Sequence, residues 1–297
     1  MENKQAKISI LMCVYNEEKF IAEAINSVIA QTYKNFELII IDDGSTDNTS
    51  KIVVNFLSDN RIKFFQPGRL GKVKANNFAY EKSSGEFIAF FSGDDLMLKE
   101  SIQKRLEPII DLTEPAISFC RLKTLSKDKQ FNNLILPKTL KRGNLCAGCM
   151  MFNKKFANIS FPIPEFLGNE DMWKVQHANH YPGVLVKHIP YIGLKYRLHD
   201  NNSSSKSDSF DKKTQSMHKR FIVYKTYLDT YRGILSSKSI DKLKSLGLAE
   251  DLRYNNKTIS ILFVNNLSLT EKIRFFFYSN KFLYKIRQKL FSLFSGW

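Results

Sequence analysis

The chain has 297 residues, 43% hydrophobic and 13% aromatic, with only 13 Gly and 8 Pro, which describes a folded globular protein with a full core and excludes a disordered or fibrous one. Its net charge of +16 is unevenly placed: residues 1–100 carry 12 Lys/Arg against 14 Asp/Glu, residues 101–297 carry 33 against 15, and no nucleic-acid motif accompanies the basic rear. No stretch of about 18 apolar residues occurs, and MENKQAKISILMCVYNEE meets acids too soon to read as a signal peptide, so a cytoplasmic protein without a membrane span is expected.

In chain order, ISILMCVY (Ile8–Tyr15) is a short apolar run suited to a buried strand. Asn16 is the expected cap of a helix through EEKFIAEAINSVIAQ, with Glu17 and Glu18 in its first turn. FELIII (Phe36–Ile41) is a second strand that stops at the turn-rich DDGSTDNTS, where Asp47 or Asn48 caps the next helix. RIKFF (Arg61–Phe65) is a third strand, VKANNFAYEKS a third helix, and FIAFFS a fourth strand that runs into Asp94 and Asp95. Repeated strand–helix–strand units imply a mainly parallel, Rossmann-like central sheet with helices on both faces.

Ligands of such sheets bind beyond the carboxyl ends of the strands. That rule collects Tyr15, Asn16 and Glu17, then Asp42 and Asp43, then Asp94 and Asp95 on one rim. Neither a GxGxxG nor a GxxxxGK[ST] loop is present, so a dinucleotide site and a P-loop are both unsupported. Adjacent carboxylates are hard oxygen ligands suited to Mg²⁺ or Mn²⁺, which bridge to substrate phosphates. GRLGKVK supplies Arg69, Lys72 and Lys74 as basic complements, and Asp42 is placed to accept hydrogen bonds from a nucleobase or ribose.

The middle of the chain is less regular. Cys146 and Cys149 form a lone CxxC without a partner pair, and read better as small buried side chains than as a metal or redox site. VLVKHIPYIGLKYRLH is a strand-like alternation ending at His199, and DNNSSSKSDS after it has the composition of a linker. Beyond that the chain turns helical and basic. Residues 270–297 hold nine aromatics and six Lys/Arg against one acid, with Ile286, Leu290, Leu293 and Phe294 on one stripe and Lys281, Lys285 and Lys289 on the other. Such a helix either lies in an anionic membrane interface or packs on its own domain.

SILMCVYNEEKFIAEAINSVIAQTYKNFELIIIDDGSTDNT resembles the opening of family 2 glycosyltransferases of the bacterial surface-polysaccharide type, with Cys13 where the family has Pro. The resemblance continues through GKVKANNFAYEKSSGEFIAFFSGDD, GNEDMW and YRLH, over about 200 residues. It implies a GT-A fold, with a catalytic domain over 1–205 (a nucleotide-sugar half, 1–100, and an acceptor half, 101–205) and a helical extension over 206–297. It implies that Val14, Tyr15, Glu17, Asp42, Lys72, Asn77, Gly93 and Asp94 bind the donor, and that Asp95, with Asp94 and His199, holds Mn²⁺ or Mg²⁺. Asp171, with Glu170 beside it, becomes the general base, and Trp173 a stacking surface for the acceptor; read without the resemblance, the two acids are first-turn residues of a helix starting near Asn169 and Trp173 is a core residue.

The implied reaction is metal-assisted transfer, with inversion, from a nucleotide-sugar, a UDP-sugar by expectation, to a glycan or lipid-linked acceptor at the inner face of the cell membrane. Ser92 replaces the first acid of the family's Asp-x-Asp motif. That departure keeps open a non-catalytic sugar-nucleotide-binding protein, while a nucleic-acid-binding protein is disfavoured by the acidic rim.

Overall fold

The computed structural model describes residues 5–199 and 209–289. Its first half follows the apolar runs closely: β1 (Ile8–Val14), α1 (Ile21–Ile29), β2 (Phe36–Asp42), α2 (Thr49–Val54), β3 (Ile62–Phe65), α3 (Lys72–Glu81) and β4 (Phe87–Phe91) alternate along the chain. β2 and β4 are buried at every residue, as continuous apolar strands of a parallel sheet must be when both faces are covered. Val14 pairs with Asp42 across β1 and β2, and Met12 with Phe91 across β1 and β4. This register brings the carboxyl ends of three strands to one edge.

The first helix differs from expectation. α1 starts at Ile21, not beside Asn16, and buries Ile21, Ala24, Ile25 and Val28. Asn16 adopts a left-handed φ of 56°, and its Oδ1 accepts the Thr46 amide at 2.8 Å, so its side chain ties two loops together instead of capping a helix. Asp47 accepts the Thr49 amide at 2.9 Å where α2 begins.

At the opposite, amino ends of these strands sits a buried carboxylate. Glu37 accepts from Ser9 Oγ at 2.6 Å, the Ser84 amide at 2.6 Å and Lys63 Nζ at 2.8 Å, with Lys7 Nζ at 3.0 Å. Burial pushes its carboxyl up, but the hydrogen bonds from Lys63, Ser9, Ser84 and Lys7 outweigh that and bring it down to about 2.

Further along come β5 (Leu96–Met97), α4 (Ser101–Leu106), β6 (Ala116–Ser126), β7 (Ile135–Leu136), β8 (Met150–Asn153), α5 (Lys154–Ser160), α6 (Glu170–His180) and β9 (Leu185–Leu198). The nine strands form one sheet in the order β3-β2-β1-β4-β8-β6-β9-β5, with β7 paired to β6. It is parallel from β3 to β4 and mixed beyond, because β8 enters antiparallel between β4 and β6. The last helices are α7 (Phe210–Tyr231), α8 (Ser237–Tyr254), α9 (Thr258–Leu262), α10 (Leu269–Phe277) and α11 (Lys281–Lys289). Serines cap three of them: Ser209, Ser236 and Ser268, the last in a capping box with Glu271.

The described residues divide into two compact units, 5–166 with 183–199, and 167–182 with 209–289. The sheet belongs to the first, whereas α6 packs with the C-terminal helices in the second. Among the described residues no helix is long and apolar enough to cross a membrane. Among the described residues of the basic, aromatic tail, α10 and α11 are separate helices, and Phe275 and Tyr284 are buried. Leu290, Leu293 and Phe294 of the expected stripe lie outside the described residues.

Candidate active site

The rim is built from loops that bind one another. Asp42, 2% exposed, accepts the Ser45 amide at 2.8 Å through Oδ1 and the Ser50 hydroxyl through Oδ2. Its neighbour Asp43 shapes the next loop: Oδ1 accepts the Leu70 and Gly71 amides at 2.6 and 2.8 Å, and Oδ2 takes Arg69 Nη1 at 2.9 Å. Arg69 then lies over the half-exposed Tyr15 ring, 3.6 Å from its centroid. A cation held by Asp43 thus lies on an aromatic face at the rim. Lys72, exposed, opens α3 directly after Gly71, whose φ of 87° requires glycine.

Asp94 and Asp95 part company. Asp94 keeps an accessible carboxylate, and its Oδ2 lies 3.0 Å from His199 Nε2. Asp95 is 1% exposed and accepts the Arg197 amide at 2.8 Å. Arg197 Nε donates to the Asp94 carbonyl at 2.7 Å, and its Nη2 meets Glu23 at 2.7 Å. The loop after β4 is thereby fastened to the end of β9. Burial first, then the charge of Asp94, pushes the Asp95 carboxyl well up, against the pull of Arg197. Asp95, expected as the foremost metal ligand, is buried where the Arg197 amide meets it, whereas Asp94 and His199 are partly exposed, with 13% and 19% of their side chains accessible.

Glu17 faces the same crowd of acids. Burial, then Asp94 and Asp47, push its carboxyl up to about 8. Gly93 has no room for a side chain: a Cβ there would stand 2.7 Å from Val14 Cγ1 and 3.2 Å from Glu17 Cγ. Val14 and Gly93 therefore shape the floor by close packing. Asn77 is a correction. It is buried, with Nδ2 donating to the Ile163 carbonyl at 2.9 Å and Oδ1 accepting the Ile163 amide at 2.8 Å. Both ends of the amide are consumed in holding that backbone, so it has nothing left to offer a donor.

In the second unit, Glu170 and Asp171 occupy the first turn of α6 after Asn169. Asp171 accepts the Met172 amide at 2.7 Å, and its Oδ2 lies 3.7 Å from Arg220. Glu170 is buried, and one turn on the Lys174 ammonium is pulled well below its usual range by burial, an effect Glu170 opposes. Trp173, expected to stack on an acceptor, is 2% exposed and packs on His177, Tyr227 and Tyr231. It is a core residue, since α6 turns that face toward α7. The backbone amide of Arg197 thus meets Asp95, and the Arg220 side chain lies 3.7 Å from Asp171; no spacing in the chain announces either contact.

The sequence profile of Glycosyl transferase family 2 matches residues 9–168. An uncharacterised glycosyltransferase of Haemophilus influenzae is 36% identical over 148 residues, 46% of this chain and 58% of that one. The UDP-Glc:alpha-D-GlcNAc-diphosphoundecaprenol beta-1,3-glucosyltransferase WfgD of Escherichia coli is 28% identical over 206 residues, 67% of this chain and 79% of its own. The chain spans 15–58% of the length of the first four curated relatives it matches. Among solved structures, S. aureus TarS 1-349 in complex with UDP-GlcNAc superposes with a TM-score of 0.61 at 19% identity, over 92% of this chain and 81% of that one, a likeness of fold.

Proposed function

The chain belongs to glycosyl transferase family 2, and from that premise we propose that it transfers a sugar from a UDP-sugar to a hydroxyl of a glycan or lipid-linked acceptor, with inversion, in surface-polysaccharide synthesis. The observation that carries this reading is the single rim on which Tyr15, Glu17, Asp42, Asp94 and His199 meet. The names of the Escherichia coli relative, with its UDP-Glc donor and diphosphoundecaprenol-linked acceptor, and of the UDP-GlcNAc complex support the choice of UDP and of a lipid-linked acceptor.

The rim fits a divalent cation. Among the described residues no three His, Cys, Asp or Glu side chains converge on one point, but Asp94 and His199 offer an oxygen and a nitrogen 3.0 Å apart. Mg²⁺ and Mn²⁺ need no more from a protein when a diphosphate and waters complete the shell. The carboxylate crowding at Glu17, Asp94 and Asp95 would also be relieved by a cation. When bound, such an ion offsets the charge gathering on a departing nucleoside diphosphate.

In the proposed reaction Asp171 takes the proton from the acceptor hydroxyl, whose oxygen then bonds to the anomeric carbon as the bond to the diphosphate breaks. The Tyr15–Arg69 face holds the nucleoside, and the buried Asp42 fixes the adjoining loop through Ser45 and Ser50. The chain works at the cytoplasmic face of the membrane, where Ile259, Phe263, Leu269 and Phe282, each at least 70% exposed, offer apolar contact beside lysines such as Lys257 and Lys281.

Incubating the purified chain with Mn²⁺ and labelled UDP-, GDP- and dTDP-sugars, with an extract of lipid-linked glycans, tests the reading. Transfer of label into the lipid fraction from a UDP-sugar is expected. Binding of the nucleotide-sugar without transfer would reduce the chain to a sugar-nucleotide-binding protein.

A further inference from the structure

Three of the four cysteines come together in the mixed part of the sheet. Cys120 on β6 and Cys149, the last residue of a 3-10 turn over Ala147–Cys149, are fully buried in one core cluster. Cys146 packs against the same cluster but keeps solvent access. The antiparallel register that pairs Phe119 with Met150 and Ser118 with Met151 brings Cys149 beside Cys120. On its other side, the Cys149 amide donates to the Cys146 carbonyl at 3.1 Å. A turn closed in this way keeps the two α-carbons within about 7 Å, a separation that a disulfide can span.

The surroundings of Cys120 suit a negative charge. Arg105 is fully buried, yet its guanidinium meets only neutral acceptors: the Ser101, Gly148 and Met150 carbonyls and the Met97 sulfur. Among the described residues no carboxylate pairs with it, and a buried cation left without an anion is costly. The buried Ser101 hydroxyl has no hydrogen-bond partner among the described residues. A Cβ on Gly193 would stand 2.6 Å from Cys120 Sγ and 2.7 Å from Ser101 Oγ, so those two side chains are neighbours. Burial pushes the Cys120 thiol up, but Cys149 beside it and the Arg105 charge outweigh burial and bring it below its ordinary range. Burial, then Cys120 and Cys146, push the Cys149 thiol well up. Cys120 is thus the thiolate of the pair, and Cys149 keeps its proton.

We propose that Cys146 and Cys149 are a peroxide-oxidisable pair, in which Cys146 reacts first, Cys149 resolves it to a disulfide, and Cys120 is the positioning residue that receives the Cys149 proton. The Cys146 sulfur attacks one oxygen of hydrogen peroxide, the O–O bond breaks, the other oxygen leaves with the thiol proton as water, and Cys146 becomes a sulfenic acid. Cys149 passes its proton to the Cys120 thiolate and attacks the Cys146 sulfur; the S–O bond breaks, and hydroxide leaves and regains that proton as a second water. Two thiols lose two electrons and two protons, and one peroxide becomes two waters. This chemistry does not depend on the transferase reading.

The test is to treat the reduced full chain, freed of reductant, with hydrogen peroxide, alkylate the remaining thiols and map the tryptic peptides by mass. Cys146 and Cys149 fall in one tryptic peptide, 143–154. A disulfide within it, the expected result, lowers its mass by two hydrogens and is reversed by dithiothreitol, whereas a bond to Cys120 would join it to a second peptide. Cys149→Ala is expected to stop at the sulfenic acid, captured at Cys146 by dimedone, and Cys146→Ser to leave Cys149 reduced. Cys120→Ser is expected to slow the disulfide by about tenfold at pH 7 and to recover as pH rises and hydroxide takes the Cys149 proton, a recovery that loosened packing would not give. Circular dichroism melts confirm that the variants fold, and the wild-type map decides the pair where one does not. Cys146 and Cys149 both alkylated after peroxide, or Cys149 joined to Cys120, would overturn the pair. An unchanged rate in Cys120→Ser would remove Cys120 from the step.

Discussion

His199 Nε2 stands 3.0 Å from Asp94 Oδ2, while two residues earlier the Arg197 amide holds Asp95 at 2.8 Å. One end of β9 thus separates two adjacent acids into an outward donor and an inward anchor. Asp94→Asn and His199→Ala are each expected to reduce transfer by about a hundredfold and to raise the Mn²⁺ concentration needed. Asp95→Asn is expected to stay within about tenfold of wild type, because the amide oxygen still accepts the Arg197 amide and burial already disfavours the charge. A larger loss for Asp95→Asn than for Asp94→Asn, in parallel initial-rate assays, would return the metal to Asp95.

Asp171 should separate chemistry from donor binding. Asp171→Asn is expected to lower kcat by about 10²–10⁴ and leave nucleotide affinity, measured by titration with the UDP-sugar, unchanged. Retention of full kcat would remove it as the base.

Asn77 predicts a stability effect where a binding effect was expected. Asn77→Ala strips partners from both the amide and the carbonyl of buried Ile163, at a cost of about 2–4 kcal/mol. Urea unfolding reads that loss; an unshifted midpoint together with a raised donor KM would restore the binding role.

Glu37 makes the fold acid-sensitive. Its folded value of about 2 lies below the ordinary 4.5, so its contribution is present in full above about pH 4.5 and is lost as pH falls toward 2. The size is up to about 3 kcal/mol. Glu37→Gln should therefore be less stable at pH 7 and lose less stability between pH 7 and pH 3 than wild type, as denaturant titrations at both values will show; parallel acid slopes would discount the group.

Membrane contact is read by flotation with anionic vesicles. Phe263→Ser with Phe282→Ser removes two exposed rings and is expected to lower the bound fraction about tenfold. Undiminished flotation would place the contact elsewhere on the chain or deny it.

The strand runs ISILMCVY, FELIII and FIAFFS, with the helices between them, suffice to specify a parallel sheet and hence a rim carrying Glu17, Asp42 and Asp94, because alternation and burial are local properties of side chains. The motifs at the same places suffice for the family. Which acid faces outward was not local: Asp95 is turned inward by a backbone amide about a hundred residues away. Asn77 and Trp173 have the right types for binding, yet Ile163 and α7 claim them. Side-chain chemistry and strand order were readable from the chain; the direction each group points, and what it spends its hydrogen bonds on, came from long-range packing, because a polar group satisfied by a distant partner is no longer available to a ligand.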